Sequence, residues 1–154
     1  MAETKATSTE TSGLTPWHID LLPTFPNSKV GTYAWTTEGT NVQLFRSYKY
    51  NSSDAVNDEL AWLVPLEAGT YTISLLTVTQ INGGQVRWYI DNSAVGSTID
   101  LYSNPQVVNV ENSQTGIVVS RGGVKTITLR VTGKNASSSN RYMLISHATI
   151  NRTA

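Results

Sequence analysis

The chain has 154 residues, a formal net charge of zero at pH 7, 14% charged residues and no cysteine. A chain of this length is typical of one domain and can bury a core without a disulfide or a metal to hold it. The absence of cysteine excludes a disulfide scaffold and a thiol nucleophile. The low charge is typical of an all-β surface of threonine-rich strands and polar loops.

The charged residues are unevenly distributed along the chain. All 11 acidic residues lie in the first 111 positions, whereas residues 112–154 carry six basic residues and no acidic one. These basic residues are spread singly and have no aromatic partners in a base-stacking motif, so we expect no nucleic-acid partner. No apolar run reaches the roughly 18 residues of a membrane span, so we expect no membrane partner.

The first 30 residues differ from the rest, and we predict that residues 1–30 form an extended N-terminal arm. Residues 1–13 are polar and cannot bury anything by themselves. After them, apolar residues alternate with polar ones between prolines, which favours an edge strand or an extended arm over a helix. The apolar side chains that we expect to contact a partner are Trp17, Ile19, Leu21, Leu22 and Phe25. The alternative is that this segment forms a first strand over the protein's own core.

The rest of the chain, residues 31–154, consists of short alternating segments between turns. We predict strands at 31–35, 42–50, 60–64, 70–79, 85–90, 95–101, 107–110, 116–120, 124–132 and 142–151. We place residues 70–79 at the centre of the sheet, because β-branched and aromatic residues alternate with polar ones there. No segment has a helical period. The sequence therefore predicts an all-β fold, a jelly-roll β-sandwich over residues 31–154.

Two local patterns carry specific expectations. Asn82-Gly83-Gly84 predicts a hairpin turn, because these residues tolerate positive φ. In the strand at 124–132, alternation places Leu129 in the core and Thr128 on the outside. We therefore expect an aspartate to be tolerated at position 128 and not at position 129.

Residues able to perform catalysis or bind a metal are sparse. The two histidines, His18 and His147, lie far apart in the sequence, and no nucleophile-elbow pattern accompanies them, so we expect no enzyme. The best group of carboxylates is Asp54, Asp58 and Glu59, whose oxygens could hold Ca²⁺ on a loop. The favoured interpretation is that Asn57 and Glu59 satisfy backbone groups of the loop or contact a subunit, and we predict no metal and no cofactor.

Several aromatic residues could form a binding surface. Tyr48 and Tyr50 share one face of a strand, and Tyr89 is out of phase with its apolar neighbours and faces outward; Trp35 and Tyr102 are further candidates. Sugar stacking and a subunit interface demand the same residue types, and we favour the interface. Asp58 and Glu59 could contribute to either surface.

The chain resembles the jelly-roll domains, similar in shape to carbohydrate-binding modules, of structural proteins in tailed bacteriophages. The resemblance covers roughly residues 54–152. The matching stretches are Asn57-Asp58-Glu59, Leu66 with Ala68-Gly69-Thr70-Tyr71, Asp91 with Val95-Gly96, Thr115-Gly116-Ile117, Gly123 with Thr126-Ile127-Thr128-Leu129, and Lys134-Asn135-Ala136-Ser137-Ser138.

This resemblance implies a virion structural protein. The expected role is a capsid decoration (cement) protein on the outer surface of the capsid, a homotrimer that binds the major capsid protein and stabilises the phage head. The alternative is a receptor- or glycan-binding module of a phage tail or fibre. Such domains occur in several settings, so the fold by itself does not decide between these roles.

Overall fold

The computed structural model describes residues 18–21, 28–30, 36–41, 46–51 and 55–154. These residues form eleven β-strands, and no helix among them is long and apolar enough to cross a membrane. The strands are β1 (His18–Asp20), β2 (Ser28–Val30), β3 (Thr36–Asn41), β4 (Arg46–Asn51), β5 (Glu59–Leu66), β6 (Gly69–Thr79), β7 (Gly84–Ile90), β8 (Ser93–Asp100), β9 (Val107–Val119), β10 (Gly123–Lys134) and β11 (Met143–Arg152).

The strands form two sheets that pack face to face. The six-stranded sheet has the order β3-β4-β11-β6-β9, with β1 also paired to β11, and the five-stranded sheet has the order β2-β5-β10-β7-β8. The pairings between these strands are antiparallel. The all-β, jelly-roll sandwich predicted from the sequence is therefore confirmed, and its strand at 70–79 is β6, an interior strand between β11 and β9.

The core lies between the two sheets and follows the period of two. In β6, Tyr71, Ile73 and Leu75 are buried, and the residues between them are half-buried. On the facing sheet, Trp62 of β5 and Trp88 of β7 are fully buried with ring centroids 6.4 Å apart. These large side chains fill the middle of the sandwich, where the large apolar area of each ring is buried.

The hairpin predicted at Asn82-Gly83-Gly84 is wrong. β6 belongs to the six-stranded sheet and β7 to the five-stranded one, so this connection crosses between the sheets. Gly83 is needed there for close approach, because a Cβ atom at this position would collide with the carbonyl of Leu101. A turn-forming sequence suits a crossover between sheets as well as a hairpin. Only the pairing partners of the two flanking strands distinguish a crossover from a hairpin.

The strands predicted at 107–110 and 116–120 are one long strand, β9. Its pairing with β6 shifts register at two places, and a residue with positive φ lies near each of them, Asn109 at 58° and Gly116 at 69°. These irregularities interrupt the alternation of side chains, which explains why the sequence predicts two short strands.

The outward position expected for Thr128 needs a correction. Thr128 lies on the outer face of the five-stranded sheet, as the alternation predicts, yet it is only 1% exposed. Its cross-strand neighbours there are Ala61 of β5 and Tyr89 of β7. The alternation along a strand tells on which face of the sheet a side chain lies, but not whether other residues cover that face. We therefore no longer expect an aspartate at position 128 to be tolerated.

Two segments of the predicted N-terminal arm belong to the sandwich. β1 pairs with β11, with Ile19 opposite Ile150, and β2 pairs with β5. Leu21 is buried in the core, and its N–H donates to the carbonyl of Ala148 at 2.9 Å. For Leu21 the structure matches the alternative of a first strand over the protein's own core, and the backbone of Ile19 belongs to that strand. The other arm residues, Trp17, Leu22 and Phe25, lie outside the described residues.

Candidate functional site

Three connections between the sheets meet at one end of the sandwich. They are residues 80–83 between β6 and β7, residues 101–106 between β8 and β9, and residues 135–142 between β10 and β11. We call this surface the loop end. β4 finishes beside it, because Asn51 and Tyr50 pair with Met143 and Leu144 at the start of β11.

The 80–83 connection is held on both sides by backbone hydrogen bonds. On one side, the N–H of Gln80 donates to the carbonyl of Leu101 at 3.0 Å, and the N–H of Ser103 donates to the carbonyl of Gln80 at 3.2 Å. On the other side, the N–H of Tyr142 donates to the carbonyl of Asn82 at 2.9 Å. The three connections are therefore joined through their backbones and form one platform.

Ser138 ties the longest connection to this platform. Its hydroxyl is buried and lies 2.8 Å from the carbonyl of Gly83, 2.8 Å from that of Asn140 and 3.2 Å from that of Ile81. The Lys134 ammonium donates to the carbonyl of Ser138 at 2.8 Å. These contacts fix the conformation of the 135–142 connection.

Polar side chains complete the platform. One carboxylate oxygen of Asp100 accepts the N–H of Tyr102 at 3.0 Å, and the other accepts the amide of Asn135 at 2.8 Å. The Gln106 amide donates to the Gln80 side chain at 3.1 Å. Tyr102 and Tyr142 are half-buried. The loop end therefore combines two half-buried tyrosines with amide donors and acceptors on a fixed backbone.

The candidates Glu59 and Tyr89 meet on a second surface, the outer face of the five-stranded sheet. Arg130 of β10 joins them: its Nε lies 2.6 Å from the Glu59 carboxylate, and its guanidinium lies 4.3 Å from the centroid of the Tyr89 ring. Sequence reasoning missed Arg130, because no local signal gives the register between strands 71 residues apart. Alternation alone places all three side chains on outer faces.

The remaining candidates do not gather into a site. Asp58 is buried, and its carboxylate accepts the N–H of Ala55 at 3.3 Å. Within the described part of the chain, no group of three or more histidine, aspartate or glutamate side chains is placed to hold a metal, and Asp54 lies outside that part. Tyr48 pairs through its backbone with Glu38 and lies two residues further along β4 from the loop end than Tyr50.

No family model matches this chain, and no curated protein matches it. Among solved structures, it is similar to a Paenibacillus xanthan lyase, with 20% identity and a TM-score of 0.70 over 91% of this chain and 13% of the lyase. It is also similar to the CBM36-1 domain of a multidomain xylanase from the hindgut metagenome of Trinervitermes trinervoides (15% identity, TM-score 0.56, 90% and 98% covered).

A third similar structure is a carbohydrate-binding module, CBM36, in complex with calcium and xylotriose (12% identity, TM-score 0.51, 86% and 97% covered). Identities this low establish the fold alone. The chain thus shares the sandwich of carbohydrate-binding modules, and it spans a small part of the lyase but nearly the whole of each module.

Proposed function

We propose that this protein is a non-catalytic glycan-binding module whose binding surface is the loop end. The observation that carries the proposal is the fixed platform there, with Tyr102 and Tyr142 beside the amides of Asn135, Asn140 and Gln106. The similarity to a module solved in complex with xylotriose supports this function over the other candidates.

The chemistry of a pyranose matches this surface. One face of the sugar ring is apolar and stacks on a phenol ring, whereas its hydroxyl groups need donors and acceptors in fixed directions. Ser138 and Asp100 hold the connections before any ligand arrives. A preorganised site loses less conformational entropy on binding, which favours affinity for a small polar ligand.

The role in capsid decoration stays a prediction. It includes the major capsid protein as a partner, a homotrimer and a place on the outer surface of the virion. No contact within the described residues bears on these expectations. A glycan-binding module in a phage tail or fibre is compatible with the proposal, which concerns the ligand and not the particle.

A glycan array followed by calorimetry tests the proposed function. The array should include xylo-, cello- and manno-oligosaccharides, and titration of each hit should compare the unmodified protein with Tyr102→Ala. We expect a loss of about tenfold or more in affinity, since truncating an aromatic anchor commonly costs over 1 kcal/mol. Val118→Ala is the matched control, because Val118 is exposed near the opposite end of β9.

Two results would overturn the proposal: no glycan binds, or Tyr102→Ala binds as tightly as Val118→Ala. Co-sedimentation with empty phage capsids tests the alternative role in capsid decoration. Capsid binding without any glycan binding would favour decoration of the head.

A further inference from the structure

A row of charged side chains crosses the outer face of the five-stranded sheet. In the strand register, Glu59 of β5 lies opposite Arg130 of β10, and Arg130 lies opposite Arg87 of β7. Two arginines directly opposite each other on neighbouring strands repel, and such a pair lowers stability unless an anion neutralises it. The row carries two positive charges and one negative charge.

Arg130 is held in place by three groups. Its Nε pairs with the Glu59 carboxylate at 2.6 Å, one Nη donates to the Asn92 side chain at 3.2 Å, and the Tyr89 ring lies beneath the guanidinium. The side chains of Arg130 and Glu59 are about a fifth exposed. The guanidinium is therefore fixed at the surface and is not swinging in solvent.

Arg87 has no such counterion. One Nη donates to the carbonyl of Gly96 at 2.7 Å, and its Nε is buried without a hydrogen-bond partner. Among the residues that the structure describes, no carboxylate lies within 4 Å of the Arg87 guanidinium. The second positive charge of the row thus has no carboxylate partner among these residues, and its strand neighbour carries the same charge.

We propose that this face binds an acidic saccharide, whose carboxylate or sulfate group is held by the guanidinium group of Arg87, with Arg130 on the neighbouring strand adding positive charge. A planar carboxylate and a sulfate ester both accept paired N–H donors from guanidinium groups, which is the strongest hydrogen bond available to arginine. The inference rests on the proposed function only in taking the ligand to be a saccharide. It assigns a second surface, separate from the loop end.

A stability measurement separates a binding role of Arg87 from a structural one. Replacing Arg87 by glutamine removes the repulsion with Arg130 and also the hydrogen bond to the Gly96 carbonyl; the two effects oppose each other, so the melting temperature should stay close to that of the unmodified protein. A residue that serves only the fold would lower the melting temperature when it is replaced. Arg87→Gln should therefore lower the affinity for the charged sugar strongly and leave the melting temperature nearly unchanged.

The test is a titration with trigalacturonate, its methyl ester and 6-O-sulfated galactotriose. The methyl ester keeps the sugar and removes the charge. We expect trigalacturonate, the sulfated sugar or both to bind, the ester to bind weakly, and Arg87→Gln to lower the affinity for the charged sugar about tenfold or more. Arg121→Gln is the control, because it removes one exposed positive charge from a loop.

In the unmodified protein, the side-chain Nε–H signals of Arg87 and Arg130 should shift in nitrogen NMR spectra as the charged sugar is added. Three results would overturn the inference. Neither charged sugar binds; Arg121→Gln weakens binding as much as Arg87→Gln, which indicates unspecific attraction; or only Tyr102→Ala weakens it, which places the acidic sugar at the loop end and leaves the proposed function standing.

Discussion

At the scale of single residues, Leu21 determines how the N-terminal segment is understood. It is 2% exposed and lies in the same core as the tryptophans of the five-stranded sheet, and its N–H completes a hydrogen bond to Ala148. Removing residues 1–26, which would leave a folded protein if they formed only an arm, would also remove β1 and this core side chain.

We therefore expect Leu21→Ala to lower the free energy of unfolding by about 2–5 kcal/mol, the usual range for truncating a buried leucine. Leu63→Ala is the matched control, because Leu63 is 56% exposed, and its effect should stay within about 0.5 kcal/mol. Urea denaturation measures both. Equal stability of the two variants would contradict the placement of Leu21 in the core.

Three residues of β10 distinguish the face on which a side chain lies from its burial. Leu129→Asp should unfold the domain, because an unpaired buried charge costs several kcal/mol against a total stability of about 5–15 kcal/mol. Thr128→Asp should also be strongly destabilising, because Thr128 is covered, whereas Val124→Asp on the same strand should be mild, because Val124 is exposed. Thermal melts of the three variants decide this; a Thr128→Asp variant as stable as Val124→Asp would show that the outer face is open there.

The sequence predicts much at this scale, but not contacts between distant residues. The period of two correctly places Leu129 inward and Tyr89 outward. Alternation cannot tell that Tyr89 and Glu59 both contact Arg130, since that depends on the register of β10 against two strands from other parts of the chain.

At the scale of elements, the connections do more than join strands. The Ser138 hydroxyl lies within hydrogen-bond distance of three carbonyl oxygens and donates its one hydrogen among them, so its loss removes a buried hydrogen bond. We expect Ser138→Ala to lower stability by about 1–3 kcal/mol and to weaken glycan binding. Ser139→Ala is the control, because Ser139 is exposed. If the two variants had the same melting temperature and the same affinity, Ser138 would not organise the loop end.

The hairpin between β7 and β8 is anchored by Asp91. Its carboxylate accepts hydrogen bonds from the backbone N–H of Thr126 and from the side chain of Lys125, each at 2.9 Å. These contacts, with the Thr126 hydrogen bond having the larger effect, hold the pKa of Asp91 below its ordinary value of 3.8. A carboxyl with a lowered pKa in the folded state stabilises the protein above its unfolded pKa, and this contribution disappears as the pH falls through the folded pKa.

We therefore expect the free energy of unfolding to fall more steeply between about pH 5 and pH 2 in the unmodified protein than in Asp91→Asn. Chemical denaturation at several pH values measures the difference. Parallel curves for the two proteins would show that the Asp91 contacts do not stabilise the fold.

Turns and connections also show where sequence reasoning stops. Asp91 and Asn92 form the turn of a true hairpin with positive φ at both residues, as a turn-rich sequence predicts. Asn82-Gly83-Gly84 carries the same kind of signal, yet it links two different sheets. Local conformation is encoded locally, whereas the choice of partner strand depends on the packing of the whole sandwich.

At the scale of the whole molecule, strand number and spacing were sufficient to predict an all-β jelly-roll sandwich. The order of strands was not, because it requires long-range pairing such as that of β11 with β1, β4 and β6. The same topology gathers residues 80–83, 101–106 and 135–142 at one end, and their proximity creates the candidate site. Of the side chains proposed to contact a glycan, only Tyr102 was a binding candidate from the sequence, as an aromatic residue near a predicted strand end.

Binding of a glycan at the loop end can be followed residue by residue in a ¹⁵N–¹H NMR titration. Adding the tightest-binding neutral oligosaccharide from the array should shift the backbone signals of residues 80–84, 101–106 and 135–142 in a saturable manner. The signals of residues 67–68, 91–92 and 120–122, at the opposite end, should remain unchanged. Saturable shifts confined to the opposite end, or no saturable shifts at all, would contradict the account.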